Sequence, residues 1–240
     1  MICKNSKIIW AAQQFFLVTH KHLCELTGMH PNSLWRSLPR LVESGQLYCK
    51  ELGMYRPHVY ATHDIRKRKR SNFAHDFMIT DIHLALHRTG KLLEWLQPRQ
   101  KFKGAVNEDA LFRVPVLTES GQEKKLTYFL EADTGSEPDW QIQEKIKRYL
   151  NTKGHVLFVV RVQDEDTSQQ SKAETDRRIQ SLIRQAEKFL PSEQSQDFTW
   201  KKFLFVSLDT LMRDPLGPVL EIAYDRKNKY TLIPSFRQGC

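Results

Sequence analysis

The stretch FLEADTGSEPDW, residues 129–140, joins an apolar run to a helix start and places two carboxylates at the junction. Glu131 and Asp133 are two apart, so on an extended chain they share one face and Ala132 takes the other. Upstream lies DALFRVPVL, residues 109–117, and between the two apolar runs TESGQEKK reads as a hairpin turn with Gly121 near its centre. Folding the chain about that turn brings Asp109 opposite residues 131–133, to within about one residue of register. Three acids so close repel unless protonated or neutralised by a cation. Mg²⁺ or Mn²⁺ is the fitting neutraliser, since hard divalent ions take oxygen ligands and use two or three carboxylates plus water and phosphate. Asp109, Glu131 and Asp133 are therefore candidate metal ligands and catalytic residues. The alternative is a set of solvated acids at a strand end and a helix start.

The helix that follows, about 138–151, carries the apolar stripe Ile142, Ile146, Tyr149 and Leu150. Lys145 lies at the edge of that stripe, about 60° from Ile142, while Lys147 points well away. Lys145 is thus the lysine able to lean over the acids and stabilise a pentavalent phosphate, unless it is an ordinary helix lysine with an apolar stem. HVLFVVRV at 155–162 reads as a buried strand, 170–190 as a helix and KKFLFVSLD as another strand. Adding NFAHDFMITDIHLALHRTG as a helix and a strand at 91–96 gives helix, three strands, helix, strand, helix, strand. That order predicts an α/β domain with a mixed central sheet over residues 73–240.

Residues 1–64 read differently. An apolar stripe over 7–17, a second helix capped by Thr19 and closed by Gly28, and a third from about Pro31 to Gly45 precede two short strands around the turn GMYR. Three helices and a two-stranded ribbon outline a winged helix-turn-helix domain, whose third helix can enter a DNA major groove. Leu34, Leu38, Leu41 and Val42 take the core side of that helix, leaving Ser33, Arg36, Ser37 and Arg40 for the other. Arg36 and Arg40 could reach phosphates or guanine edges, and Arg56 at the wing tip a backbone or minor groove. The same residues could instead form a solvated face used for protein contacts. IRKRKRSN, residues 65–72, reads as a basic linker in which Arg66, Lys67 and Arg68 could follow a phosphate backbone.

Composition agrees with a polyanionic partner. The 240 residues carry 37 Lys plus Arg against 28 Asp plus Glu, a formal charge of +9, and a pI near 9.4. The four cysteines show no CxxC spacing, as expected of reduced thiols in a cytoplasmic protein. MICKNSKIIWAAQQFF lacks the form of a secretory leader, and no window approaches a membrane-spanning apolar run, so neither export nor membrane insertion is expected.

The hairpin DALFRV plus FLEADTGSE, followed by KIKRY, resembles the replication-relaxation family of bacterial mobile elements, in particular the MobC class of plasmid mobilisation relaxases. With the preceding HDFMITDIHLAL, the similarity extends over most of residues 5–160. The resemblance implies a restriction-endonuclease-like nuclease domain of the PD-(D/E)XK kind that nicks DNA at a transfer origin with a divalent metal. It implies duplex and nicked DNA as partners, with an accessory mobilisation or coupling protein. By position Asp109 stands for the first acid of the motif and Glu131 for the second, while Asp133 occupies the usual place of the lysine. Lys145 is then the candidate for a migrated lysine, and His75 matches a recurring family position and could neighbour the site. A non-catalytic initiator or repressor with a degenerate nuclease fold is the competing reading, supported by Asp133 in the lysine's place. Whether a tyrosine becomes linked to DNA stays open among Tyr48, Tyr55, Tyr60, Tyr128, Tyr149, Tyr224 and Tyr230.

Overall fold

The computed structural model describes residues 4–52, 58–67, 71–97, 108–117, 122–150, 152, 154–162, 168–189, 203–215, 217–221 and 230–231. The chain divides into two compact units, Met1–Leu84 and Ala85–Cys240.

The first unit runs α1 (Lys4–Gln14), β1 (Val18–Thr19), α2 (His20–Thr27), α3 (Pro31–Glu43), β2 (Tyr48–Lys50) and β3 (Val59–Ala61). Its antiparallel sheet has the order β1-β3-β2. The short β1 was not foreseen, because two residues carry no periodicity. Thr19 caps α2 as expected: its hydroxyl accepts from the His22 N–H at 3.1 Å, and His22 Nδ1 accepts in return from the Thr19 N–H at 3.3 Å. His22 Nε2 reaches the Asp81 carboxylate at 3.1 Å. Gly28 closes α2 with φ 66°, a left-handed conformation that glycine adopts without steric cost. On α3, Leu34, Leu38 and Leu41 are buried, each contributing about 1.5–3 kcal/mol of transfer free energy.

The next helix, α4 (Ser71–Arg88), corrects the expected boundary. Phe73 and Ile65 pack with Leu17, Leu52, Val59 and Ala61 in the core of the first unit, and the Thr80 hydroxyl donates to the Leu17 carbonyl at 3.2 Å. The charge of residues 65–72 suggests a basic linker, yet Ile65 is buried and Ser71 already begins the helix. The unit therefore extends to residue 84 rather than 64.

The second unit contains β4 (Glu94–Leu96), β5 (Ala110–Leu117), β6 (Glu123–Asp133), α5 (Asp139–Leu150), β7 (His155–Val160), α6 (Ser168–Glu187), β8 (Phe203–Ser207), α7 (Leu208–Arg213), β9 (Pro218–Glu221) and β10 (Tyr230–Thr231). They form an α/β unit around a mixed sheet of order β10-β9-β8-β7-β6-β5-β4. β6, β7 and β8 are parallel neighbours, and parallel neighbours need crossovers, which α5 and α6 supply. The remaining pairings are antiparallel. Leu208 and Asp209, expected at the end of a strand, belong to α7 instead, because the Ser207 hydroxyl accepts from the Thr210 N–H and starts a helix there.

One sheet face carries Val156, Phe158, Val160, Phe203 and Phe205, and packs with Ile142, Ile146 and Tyr149 of α5 and Ile179, Leu182 and Ala186 of α6. Among the described residues no helix is long and apolar enough to cross a membrane. Phe158→Ala empties the centre of this core and is expected to cost about 3–5 kcal/mol, read as a lower urea midpoint at constant slope; a loss below about 1 kcal/mol would contradict the packing described.

Candidate functional site

The hairpin register is fixed by a ladder running from Ala110↔Leu130 to Leu117↔Glu123. Asp109 is the residue just before Ala110 in the first of these pairs. The Asp109 N–H donates to the Leu130 carbonyl at 3.1 Å, and Asp109 Oδ2 accepts from the Ala132 N–H at 2.8 Å. Strand pairing therefore ends with the acid's own side chain acting as an acceptor for the facing backbone.

Glu131 sits on the face of β6 covered by α5 and is only 2 % exposed. Its Oε2 accepts from the Lys145 ammonium at 2.7 Å, and its Oε1 accepts from the Tyr149 hydroxyl. Lys145 and Tyr149 are four apart on α5, so one helix face delivers both donors. Lys145 also donates to Glu137 Oε1 at 2.8 Å. Burial, then the charge of Asp109, pushes the Glu131 carboxyl from its ordinary 4.5 up to about 8, with the Lys145 ammonium pulling the other way. Burial alone would lower Lys145, but the Glu131 charge and bonds to Glu131 and Glu137 overcome it and hold the ammonium above the usual lysine range. Burial and the neighbouring Glu131 raise the Tyr149 hydroxyl far above an ordinary phenol.

Asp133 does not join Asp109 and Glu131 as expected. It shares the Glu131 face by alternation, but its Oδ2 accepts from Arg178 Nε at 2.7 Å and its Oδ1 from the Gly135 N–H at 2.8 Å. Arg178, projecting from α6, also donates through Nη2 to the Glu137 carbonyl at 2.7 Å. The partly buried guanidinium thus ties the end of β6 to the loop before α5, and Asp133 is its counter-ion. Among the described residues no group of three His, Cys, Asp or Glu is placed to hold a metal. The three-acid set read from spacing is reduced to the pair Asp109 and Glu131, because a cation from another helix takes the third acid.

Two further residues escaped the sequence reading. Arg178 adjoins the buried Ile179 of α6, and a cation beside an apolar stripe was the available signal. Glu108 is 6 % exposed, and its Oε2 is buried without a hydrogen-bond partner among the described residues. Burial, and less strongly the charge of Asp109, raise its carboxyl above the usual range.

His75 lies on α4 in the first unit, with Nδ1 3.9 Å from the buried Asp76 carboxylate. Of the residues expected to meet DNA, Arg36 and Arg40 are exposed, whereas Ser33 and Ser37 are half-buried and the Ser37 hydroxyl donates to the Ser33 carbonyl at 3.0 Å. The two serines sit on the flank of α3, not opposite its leucines. Arg66 pairs with Asp64 at 2.7 Å, Lys67 is exposed, and Arg56 and Arg68 lie outside the described residues. Tyr60, Tyr128 and Tyr149 are buried, so none presents a hydroxyl for attack on a phosphate. Tyr55 and Tyr224 lie outside the described residues, as does the side chain of Tyr230.

A basic chain with a helical first unit and a buried glutamate bonded to a lysine at the end of a mixed sheet belongs among two-unit α/β proteins with a polar site at the strand ends. Its family is more particular. The chain belongs to the replication-relaxation family, whose match covers residues 17–158, from the first strand through the acid-bearing hairpin, α5 and into β7. Membership points to a role in plasmid replication or mobilisation. No curated protein and no solved structure matches the chain.

The buried pair makes a testable electrostatic unit. Lys145→Met leaves Glu131 buried without its cation and is expected to cost about 3 kcal/mol near pH 8, and clearly less near pH 5, where Glu131 carries a proton. Because the folded Glu131 carboxyl is raised, its favourable contribution is full below pH 4.5 and fades as pH rises through about 8. Glu131→Gln should therefore flatten the decline in stability across that window, measured as urea midpoints at several pH values; an unchanged slope would contradict the raised carboxyl.

Proposed function

We propose that this protein is a metal-dependent, site- and strand-specific DNA endonuclease that nicks a plasmid transfer origin to start mobilisation, with the first unit choosing the site. The observation that carries this reading is the Lys145 ammonium bonded to Glu131, with Asp109 just before the hairpin pair Ala110↔Leu130. Two acids from adjacent strands and a lysine from the next helix have the chemistry of a PD-(D/E)XK nuclease site, with the lysine moved from the Asp133 position to α5. The helix, strand, helix, helix, strand, strand order of the first unit supports a winged-helix reading, and its exposed Arg36 and Arg40 suit a polyanion.

Mg²⁺ or Mn²⁺ fits the donor set at Asp109 and Glu131. Both ligands are carboxylates, and the charge of Asp109 disfavours ionisation of Glu131. When bound, such an ion supplies Lewis-acid polarisation of the scissile phosphate. The chain's own groups do the rest: Tyr149 and Lys145 fix the orientation of Glu131, and the Lys145 ammonium offsets negative charge developing on the phosphate. Duplex and nicked DNA at a cytoplasmic transfer origin are the partners in this reading, together with an accessory mobilisation or coupling protein.

A second reading, a non-catalytic initiator or repressor, is favoured by the engagement of Asp133 with Arg178 and the lack of a three-acid group among the described residues. Supercoiled plasmid carrying the cognate transfer origin, incubated with the protein and Mg²⁺ or Mn²⁺, separates the two. Nicking is expected from the native protein, with loss in Asp109→Ala and Glu131→Ala and a fall of about 10²–10³ in Lys145→Ala. Acid variants that nick like the native chain would sink the assignment; tight origin binding with no break under either metal would establish the second reading.

A further inference from the structure

The exposed arc of α3 differs from the one its spacing suggested. Pro31, Asn32, Trp35, Arg36, Pro39, Arg40 and Glu43 are its exposed side chains, spanning about 180° at 100° per residue. Trp35 is the unexpected member. Its indole is 53 % exposed, although tryptophan ordinarily covers much of its large apolar surface. It is also held in place. The His20 imidazole stacks on one ring face with centroids 4.5 Å apart and planes at 24°. His20 is fixed in turn: Nε2 lies 3.3 Å from the Pro31 carbonyl and Nδ1 3.7 Å from the Cys24 thiol. Because a carbonyl only accepts, Nε2 carries the proton in that bond and Nδ1 faces the thiol.

A rigid, half-exposed indole is costly to leave in water and loses little entropy on binding. Arg36 and Arg40 lie on the same arc, and neither has an ion-pair partner among the described residues. The only acid on the arc, Glu43, is at its last residue. An apolar group with two guanidinium groups to one side of it, neither ion-paired among the described residues, matches the edge of a duplex, where phosphates border a groove floor whose one apolar feature is the thymine 5-methyl group. A protein partner would need a pair of carboxylates at one edge of an apolar patch, a more special demand.

We propose that Trp35, held by its stack on His20, contacts a thymine methyl in the major groove of duplex DNA and sets the preference at that base pair. Arg36 and Arg40 contribute phosphate or guanine contacts on one side of it. The inference rests on the first unit being a DNA-reading module and adds the residue and the base feature it reads. It makes Trp35 a specificity residue and His20 a positioning residue that acts through it.

The full-length native protein is used to select from a pool of duplexes with a randomised central segment, beside Trp35→Ala, His20→Ala and the double variant Arg36→Ala/Arg40→Ala. The native chain is expected to select a thymine at one position that Trp35→Ala no longer selects, with about a tenfold loss on the native sequence. His20→Ala keeps the thymine but prefers it less. Replacing that thymine by deoxyuridine, which removes only the methyl, should weaken native binding about fourfold and leave Trp35→Ala unaffected. The dependence of binding on salt should be unchanged in Trp35→Ala and shallower in the arginine variant. Retention of the thymine preference by Trp35→Ala, or indifference of the native chain to deoxyuridine, overturns the proposal while leaving DNA binding in place. If the arginine variant matches the native chain in both affinity and salt dependence, the reading of the first unit as a DNA module fails as well.

Discussion

The contact on which the second unit depends is the burial of Glu131 between α5 and the sheet. A carboxyl taken out of water must be given partners, and Lys145 and Tyr149 supply one for each oxygen. Because both donors come from one face of α5, the helix can dock in one rotational setting only. A quarter turn either way would strand a buried acid and expose Ile142 and Ile146, which share that face. The crossover from β6 to β7 is thereby positioned by a polar contact as well as by its apolar stripe.

The same contact gathers the candidate chemistry. Asp109 reaches the site from the start of β5, Glu131 from the end of β6 and Lys145 from the following helix, so three consecutive elements converge where the parallel part of the sheet begins. Ligand sites in such sheets favour the carboxyl ends of the strands, where side chains are held by rigid elements but not covered by the next one. Arg178 adds a second polar tie at that end. Its bonds to Asp133 and to the Glu137 carbonyl hold the loop before α5, and Gly135 in that loop has φ 82° with Val162 close against it. A side chain at Gly135 would meet both a strained backbone and a β-branched neighbour. The acid pair is thus backed by a loop with little freedom to move.

Much of this was written in local sequence. The Thr19 cap, the Gly28 stop, the leucine stripe of α3, the antiparallel pairing of β5 with β6 and the stripe of α5 are all governed by neighbours close in sequence, and periodicity or turn chemistry reveals them directly. The lysine beside Glu131 was legible because helical spacing limits which residues share a face. Less was legible where a long-range partner decided the outcome. The charge of IRKRKRSN suggested a linker, but Ile65 within it is claimed by a core built from residues 17 to 73. Trp35 was given no place by the spacing of α3, and its exposure became visible only in the fold.

The sequence by itself determined the periodicities: which residues lie on one side of each helix or strand, and hence that Asp109, Glu131 and Lys145 could meet. Only the tertiary structure decided which acids stay together. Asp133 lies two residues from Glu131 and on the same face, yet Arg178, 45 positions away in the chain, takes it as a counter-ion. No local pattern encodes that choice. A buried carboxylate must be neutralised by whichever cation the packing brings within reach, and packing is a property of the whole fold.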